Sequence, residues 1–253
     1  MMPERLDKFL TSQNVCSRKE AGKLVRAGLV QINGVQAQSP AQKLEPGRDR
    51  VTAEGQEILY RQYLYIMMHK PAGVLSATED RQAPTVLDLL PPALSRRGLF
   101  PAGRLDKDTT GLLIITDDGD FAHRMLSPKS HVYKLYRVLL ERPVSPEDIK
   151  AFAGGISQGG TAFAPAKLYT LPGEEVNAAY VEIREGKFHQ VKRMFQAVGN
   201  QVLELKRLKI GGLRLDPSLE PGQCRLLEAA ETAAIFQQDT TALAENSPSP
   251  GDV

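Results

Sequence analysis

What is scarce in this chain of 253 residues excludes several classes of protein. It has two cysteines, Cys16 and Cys224, too few and too far apart for a disulfide framework, which fits a reducing cytosol. No uninterrupted apolar run approaches the roughly 20 residues that a membrane-spanning helix needs. The opening "MMPERLDKFL" places acids and bases where a signal peptide has its apolar core, so the expected location is the cytoplasm. The 4 histidines, His69, His123, His131 and His189, lack the close pairing of metal ligands. Phosphate loop, dinucleotide fingerprint and Gly-x-Ser-x-Gly elbow are all missing. The expectation is a chain that uses neither metal nor cofactor.

Hydrophobic residues at 42% and charged residues at 25% are ordinary for a globular protein, and the length suits one large domain or a small domain plus a medium one. The net charge of +2 hides a strong segregation. Between Arg184 and Arg214 stand eight bases (Arg184, Lys187, Lys192, Arg193, Lys206, Arg207, Lys209, Arg214) against Glu185 and Glu204. From Glu220 onward Arg225 is alone among acids. A charge run of this kind is either a solvated face or the footprint of an acidic partner.

The first sixty residues read as helix, helix, hairpin. Ser17 with Glu20 three residues later is a capping box, and Ala21, Leu24, Val25 and Gly28 then share one face. Arg18, Lys19, Lys23 and Arg26 fall on the other side. Gly28 stops the helix, and "VQINGV" turns at Asn33-Gly34, a strong hairpin signal. Leu6, Phe9 and Leu10 supply an upstream packing partner.

Beyond the join at 60–62, strands are expected in "YLYIMMHKPAG", "LLIIT", "YRVLL", "AYVEI" and "VLELKRLKI". Helices are expected in "FAHRML", in "SPEDIKAFAGG" with Ser145 as cap, and in "HQVKRMFQAVGN" over 189–200. Helices scattered among strands without a βαβ rhythm predict an α+β domain with a mainly antiparallel mixed sheet. The closing residues, 237–253, are small, polar and proline-containing, and are expected to be disordered.

The stretch "GRLDKDTTGLLIITDDG" carries the chemical question. Asp106, Asp108, Thr110, Gly111 and Asp117 nearly spell a calcium loop. Such a loop needs flanking helices and usually a glutamate at its last position. Here Pro101 and Gly103 precede it, an apolar strand follows it, and the last ligand would be the shorter Asp117. Asp108, followed by two threonines, suits a turn-capping role; Asp106 is left as a carboxylate with chemistry open to it. In the helix at 189–200, Phe188, Val191, Met194, Phe195 and Val198 have core spacing. His189, Lys192, Arg193 and Gln196 form a polar stripe, and a partly buried Asp106 would need such a cation nearby.

Taken together these motifs resemble the pseudouridine synthases that modify ribosomal RNA. The stretch around Asp106 looks like the family signature, and "SPKSHVYKLYRV", "EGKFHQVKRMFQAVGN" and "IGGLRLDPSLEPGQCRLL" follow in the expected order. "RLDKFLTSQNVCSRKEAGKLVRAGLVQINGV" resembles a small RNA-binding domain shared with a ribosomal protein. "KDTTGLL" and "FHQVKRMF" look most like the branch acting on small-subunit 16S rRNA; large-subunit 23S rRNA is the alternative. The resemblance implies an RNA-binding domain over 3–59 and a catalytic domain over 63–236. It implies that Asp106 is the catalytic carboxylate, that Arg104 faces the RNA, that Tyr136 packs on the target base and that Lys192 pairs with Asp106. Arg18, Lys19, Lys23 and Arg26 become RNA contacts, and the partner is ribosomal RNA, free or within a pre-ribosomal particle, bound by a monomer. His69 stands where an Asn is common before Lys-Pro. An assembly factor without catalysis and a calcium module are the competing classes.

Overall fold

The computed structural model describes residues 2–237, so the expected disordered tail lies, from 238 on, outside the described residues. The N-terminal unit runs β1 (Glu4–Arg5), α1 (Leu6–Ser12), α2 (Arg18–Arg26), β2 (Val30–Ile32), β3 (Val35–Gln36), β4 (Lys43–Leu44), β5 (Val51–Ala53) and β6 (Gln56–Ile58). The capping box forms at α2: the Glu20 N–H donates to Ser17 Oγ and the Ser17 N–H to Glu20 Oε2, at 3.3 and 2.8 Å. Asn33 and Gly34 both take positive φ, 53° and 80°, the geometry a two-residue hairpin demands. The unit is more than helix, helix, hairpin: β5 and β6 extend the hairpin into a sheet of order β3-β2-β5-β6. Leu6, Phe9, Leu10, Ala21, Val25, Val30 and Val51 form its own core.

The second unit runs β7 (Tyr65–Lys70), β8 (Phe100–Pro101), β9 (Thr110–Thr116), α3 (Gly119–Leu126), β10 (Lys134–Leu140), α4 (Pro146–Gly154), β11 (Ile156–Gln158), β12 (Thr161–Phe163), β13 (Lys167–Tyr169), β14 (Ala178–Ile183), α5 (Gln190–Ala197), β15 (Val202–Ile210), β16 (Leu213–Arg214), β17 (Cys224–Leu226) and α6 (Ala229–Ala234). Its main sheet has the order β13-β14-β10-β15-β9-β7-β17, with β8 beside β9 and β16 beside β15. All pairings are antiparallel except β9 with β15, so the expected α+β class and mainly antiparallel mixed sheet are observed.

Two apolar clusters flank this sheet. Leu113 and Ile115 of β9 join Phe152 of α4 and Val191, Met194 and Phe195 of α5. Leu112 and Ile114 join Phe121 and Met125 of α3 and Ile235. Strand β9 is thus covered on both faces, which is why "GLLIIT" runs apolar without alternation. Its N-terminal end fixes where the loop bearing Asp106 can go.

Candidate active site

Asp106 lies on the loop between β8 and β9, and its neighbours are tied on both sides. Ser76 Oγ donates to the Leu105 carbonyl at 2.9 Å and accepts the Leu105 N–H at 3.0 Å. Lys70 is fully buried, and its ammonium donates to the carbonyls of Pro71, Lys107 and Thr109 at 2.9, 3.2 and 2.9 Å. The Thr109 N–H closes a turn onto the Asp106 carbonyl at 3.1 Å. All of these ties act on the backbone around Asp106 and none on its carboxylate, whose side chain is 26% exposed.

Helix α5 faces this carboxylate. Lys192 Nζ is 3.6 Å from Asp106 Oδ2, and His189 Nε2 is 3.6 Å from Asp106 Oδ1. The closer partner of Lys192 is Asp108, whose two oxygens accept hydrogen bonds at 2.5 and 2.7 Å. The Lys192 hydrogen bond holds the Asp108 carboxyl below the usual carboxylate range. One ammonium therefore bridges two carboxylates, hydrogen-bonded to Asp108 and in ion-pair reach of Asp106. Asp108 is more than the turn former expected from the two threonines that follow it.

The calcium geometry is not realised. The seven residues of β9 stand between Asp106 and Asp117, an extended stretch of roughly 23 Å. The Asp117 carboxylate accepts from the Leu64 N–H at 2.8 Å and from Arg96 Nε at 2.6 Å. Asp118 caps α3 through the Phe121 N–H at 3.0 Å and accepts from the Tyr65 hydroxyl at 2.6 Å. Among the described residues no three His, Cys, Asp or Glu side chains gather as metal ligands.

The other residues singled out from the sequence divide by location. Arg104 and Lys107 flank Asp106, are exposed, and make no side-chain hydrogen bond or ion pair among the described residues. Tyr136 lies on β10 and is only 7% exposed, within the apolar cluster of Leu105, Leu113 and Val191. Its hydroxyl is 3.5 Å from Arg207 Nη1, and the register sets Tyr136 opposite Arg207 on β15, which in turn lies opposite Gly111 on β9. Arg18, Lys19, Lys23 and Arg26 are exposed on α2, on the N-terminal unit and outside the Asp106 cluster.

Two expectations for α5 change. The helix spans Gln190–Ala197 rather than 189–200, because His189 takes a left-handed φ of 51° that no α-helix continues. Phe188, assigned to the core by its spacing, is 74% exposed. Ahead of the first helical residue, helical periodicity no longer fixes direction.

Sequence reasoning did not single out Lys70, and it took Arg207 only as one member of the basic block. Both are buried; Arg207 Nε donates to the Leu112 carbonyl at 2.7 Å, and its Nη2 has no hydrogen-bond partner among the described residues. The signal available for Lys70 was its place before Pro71, where an apolar strand ends and a long aliphatic stem can run inward.

Comparison with known proteins places these features. Residues 64–197 match the family described as RNA pseudouridylate synthase, and residues 4–49 match the S4 domain. The chain is 48% identical over 229 residues to the uncharacterized RNA pseudouridine synthase YtzG of Bacillus subtilis (strain 168), covering 90% of this chain and 96% of that protein. It is 44% identical to ribosomal small subunit pseudouridine synthase A of Vibrio cholerae, covering 92% of this chain and all (100%) of that one. The Escherichia coli (strain K12) protein of the same name is 41% identical, with coverage of 91% and 99%. A solved structure described as a pseudouridylate synthase superposes with a TM-score of 0.63 at 38% identity, covering 92% of this chain and 99% of that chain.

Proposed function

This chain belongs to the RNA pseudouridylate synthase family, and from that premise we propose that it converts a specific uridine of small-subunit 16S ribosomal RNA to pseudouridine, with Asp106 as the reacting carboxylate. One observation carries the site assignment. Asp106 is held on an anchored loop, partly exposed, with Lys192 and His189 each 3.6 Å from its oxygens. The near full-length likeness to small-subunit synthases supports the choice of RNA.

The isomerisation breaks the bond between C1′ and N1, turns the detached uracil, and joins its C5 to C1′. The proton leaving C5 is balanced by one taken up at N1, so the reaction is redox-neutral. The base first leaves its stack, at a cost of a few kcal/mol. Asp106 then acts in one of two ways: it attacks covalently, or it removes a sugar proton as general base. Both require an ionised carboxylate, and the Lys192 ammonium lies 3.6 Å from its Oδ2. The same ammonium stabilises negative charge on the detached uracil. Asp108 helps by fixing that ammonium beside Asp106 rather than leaving it to swing on its flexible stem.

The remaining residues receive roles in the same reading. Arg104 contacts the RNA beside the target nucleotide. Tyr136, on β10 opposite Arg207, supports the target base. Residues 3–59 form the RNA-holding domain, where Arg18, Lys19, Lys23 and Arg26 contact phosphates and supply salt-dependent, sequence-independent affinity. Residues 63–236 form the catalytic domain. The enzyme works in the cytoplasm as a monomer on rRNA, free or in a pre-ribosomal particle.

Mass spectrometry of nuclease-digested rRNA tests the proposal directly. Wild-type protein is expected to add one pseudouridine to 16S rRNA, and Asp106→Asn to lower its formation by at least 1,000-fold, roughly 4 kcal/mol of transition-state stabilisation. Normal turnover by Asp106→Asn would remove Asp106 from the mechanism. A new pseudouridine in 23S rRNA would move the substrate to the large subunit.

A further inference from the structure

We propose that Phe188, stacked on His189, is a platform for one unpaired RNA base adjacent to the target uridine. This rests on the RNA-modifying function proposed above.

Among the described residues Phe188 is the only phenylalanine classed as exposed, at 74%. Its ring lies parallel to His189, with centroids 3.7 Å apart and planes 20° from each other. Stacking covers one ring face and leaves the other to solvent. His189 is also the side chain that reaches Asp106, so the open face of Phe188 stands one ring away from the residue that contacts the reacting carboxylate.

The segment presenting this ring is braced. Glu185 Oε1 accepts the Ala164 N–H at 2.8 Å and the Gln190 amide at 2.9 Å, and Glu185 Oε2 pairs with Lys187 at 3.0 Å. The other end of the Gln190 amide accepts the Lys187 N–H at 3.0 Å. His189 holds its left-handed φ of 51° inside this frame, a conformation unfavourable for a residue with a side chain. A loop with this many internal ties does not leave a large aromatic in water by looseness. It is preorganised to be met.

Charge identifies the occupant. In sequence Phe188 stands inside the basic block, among Arg184, Lys187 and Lys192, the latter two paired with Glu185 and Asp108, and Arg104 and Lys107 are exposed on the Asp106 loop that Lys192 and His189 contact. An apolar protein partner gains nothing from that surround, whereas a polyanion whose bases have π faces is matched by both features. Stacking is tolerant of base identity, so the site grips a neighbour of the target without demanding its sequence.

Two measurements test this. The first titrates protein into a short oligouridylate carrying one 2-aminopurine, a fluorescent base that stacking quenches. Wild type is expected to quench it, Phe188→Ala to lose the quench, and Phe188→Trp to keep it. The second measures pseudouridine formation in 16S rRNA: Phe188→Ala is expected to raise KM by roughly 5- to 150-fold with kcat within about twofold. Phe188→Trp should restore KM, and because the ring is exposed, thermal melting should match wild type. An unchanged quench and KM in Phe188→Ala would overturn the platform while leaving the enzyme's function standing. A fall in kcat at constant KM would also overturn it. A quench dependent on Phe188 with no turnover on any rRNA would retain the platform and remove the proposed function.

Discussion

Lys70, Lys134 and Arg207 are all buried, at 0%, 5% and 4% exposure, and the Arg207 charge opposes that of both lysines. Burial, with a smaller contribution from the Arg207 charge, pushes Lys134 down to about 8; burial pushes Lys70 down to about 8 as well, against some support from Asp108 and Asp106. Unfolded lysine titrates near pH 10.4. Between about pH 8 and pH 10 these two lysines therefore bind fewer protons in the folded chain than in the unfolded one and raise stability with pH, against an opposing contribution from the Cys16 and Cys224 thiols, which burial pushes up. Above about pH 10 the trend reverses, because burial raises the phenols of Tyr65, Tyr169 and Tyr180, with help from neighbouring carboxylates. Denaturant unfolding at about pH 7.5 and about pH 9.5 should show wild type gaining stability, and Lys134→Met losing on the order of 2 kcal/mol of that gain. Lys134 is the better probe, since its ammonium donates to the Val132 carbonyl alone, whereas Lys70 also shapes the Asp106 loop. No local pattern marks these lysines as buried: a lysine in a strand reads the same whether its neighbours in space are water or apolar side chains.

At the scale of elements, the parallel pairing of β9 with β15 decides where the Asp106 loop starts, and it depends on Gly111. A Cβ on Gly111 would lie 2.2 Å from the Arg207 carbonyl oxygen and 2.7 Å from its nitrogen, and the residue sits at φ +103°. Both approach and dihedral exclude any larger residue. Gly111→Ala should cost more than about 4 kcal/mol or prevent folding, whereas Gly34→Ala, at φ +80° with open space around it, should cost about 1–2 kcal/mol. Thermal melting of the two variants side by side checks this; equal losses would refute the close-approach argument. In the sequence Gly111 looked like the sharp turn of an ion loop. The longer elements were legible, because β15, α3 and α4 carry their own periodicity or caps, as Ser145 does for α4. The parallel partner was not, since Gly111 and Arg207 are brought together only by the order of strands in the sheet.

Across the whole molecule, Arg96 ties the two units together. Its side chain is 8% exposed and donates to Asp117 at 2.6 Å, to the carbonyls of Arg61 and Gln62 at 3.1 and 3.0 Å, and at 3.4 Å to that of Ser12 at the end of α1. Gln13 adds a reciprocal pair with the Arg61 backbone, and the Asn14 amide donates to the Pro92 carbonyl. Asp117 closes the strand that begins just past Asp106, so the latch connects the N-terminal unit to the element that carries the site. Arg96→Ala removes one donor from the Asp117 carboxylate, which keeps the Leu64 N–H, and from the solvent-reachable carbonyls of Arg61 and Gln62, so the loss is about 1–3 kcal/mol, chiefly at Asp117. Calorimetry is expected to resolve two unfolding transitions in that variant where wild type shows one. A single transition at the wild-type temperature would mean that the latch does not couple the units.

The sequence by itself determined the α+β class, most helices, the five longest strands, the two family resemblances and the candidacy of Asp106, because these rest on periodicity, caps and short motifs within a few residues of one another. Only the tertiary structure decided the rest. It showed that Lys192 grips Asp108 more closely than Asp106, that Lys70 anchors the loop from a distant strand, and that Phe188 leaves the core. It also converted Asp117 from a would-be calcium ligand into half of a clamp. Each of these depends on groups far apart in the chain meeting across a sheet or a loop, where desolvation and hydrogen-bond geometry select the partner and sequence spacing carries no information.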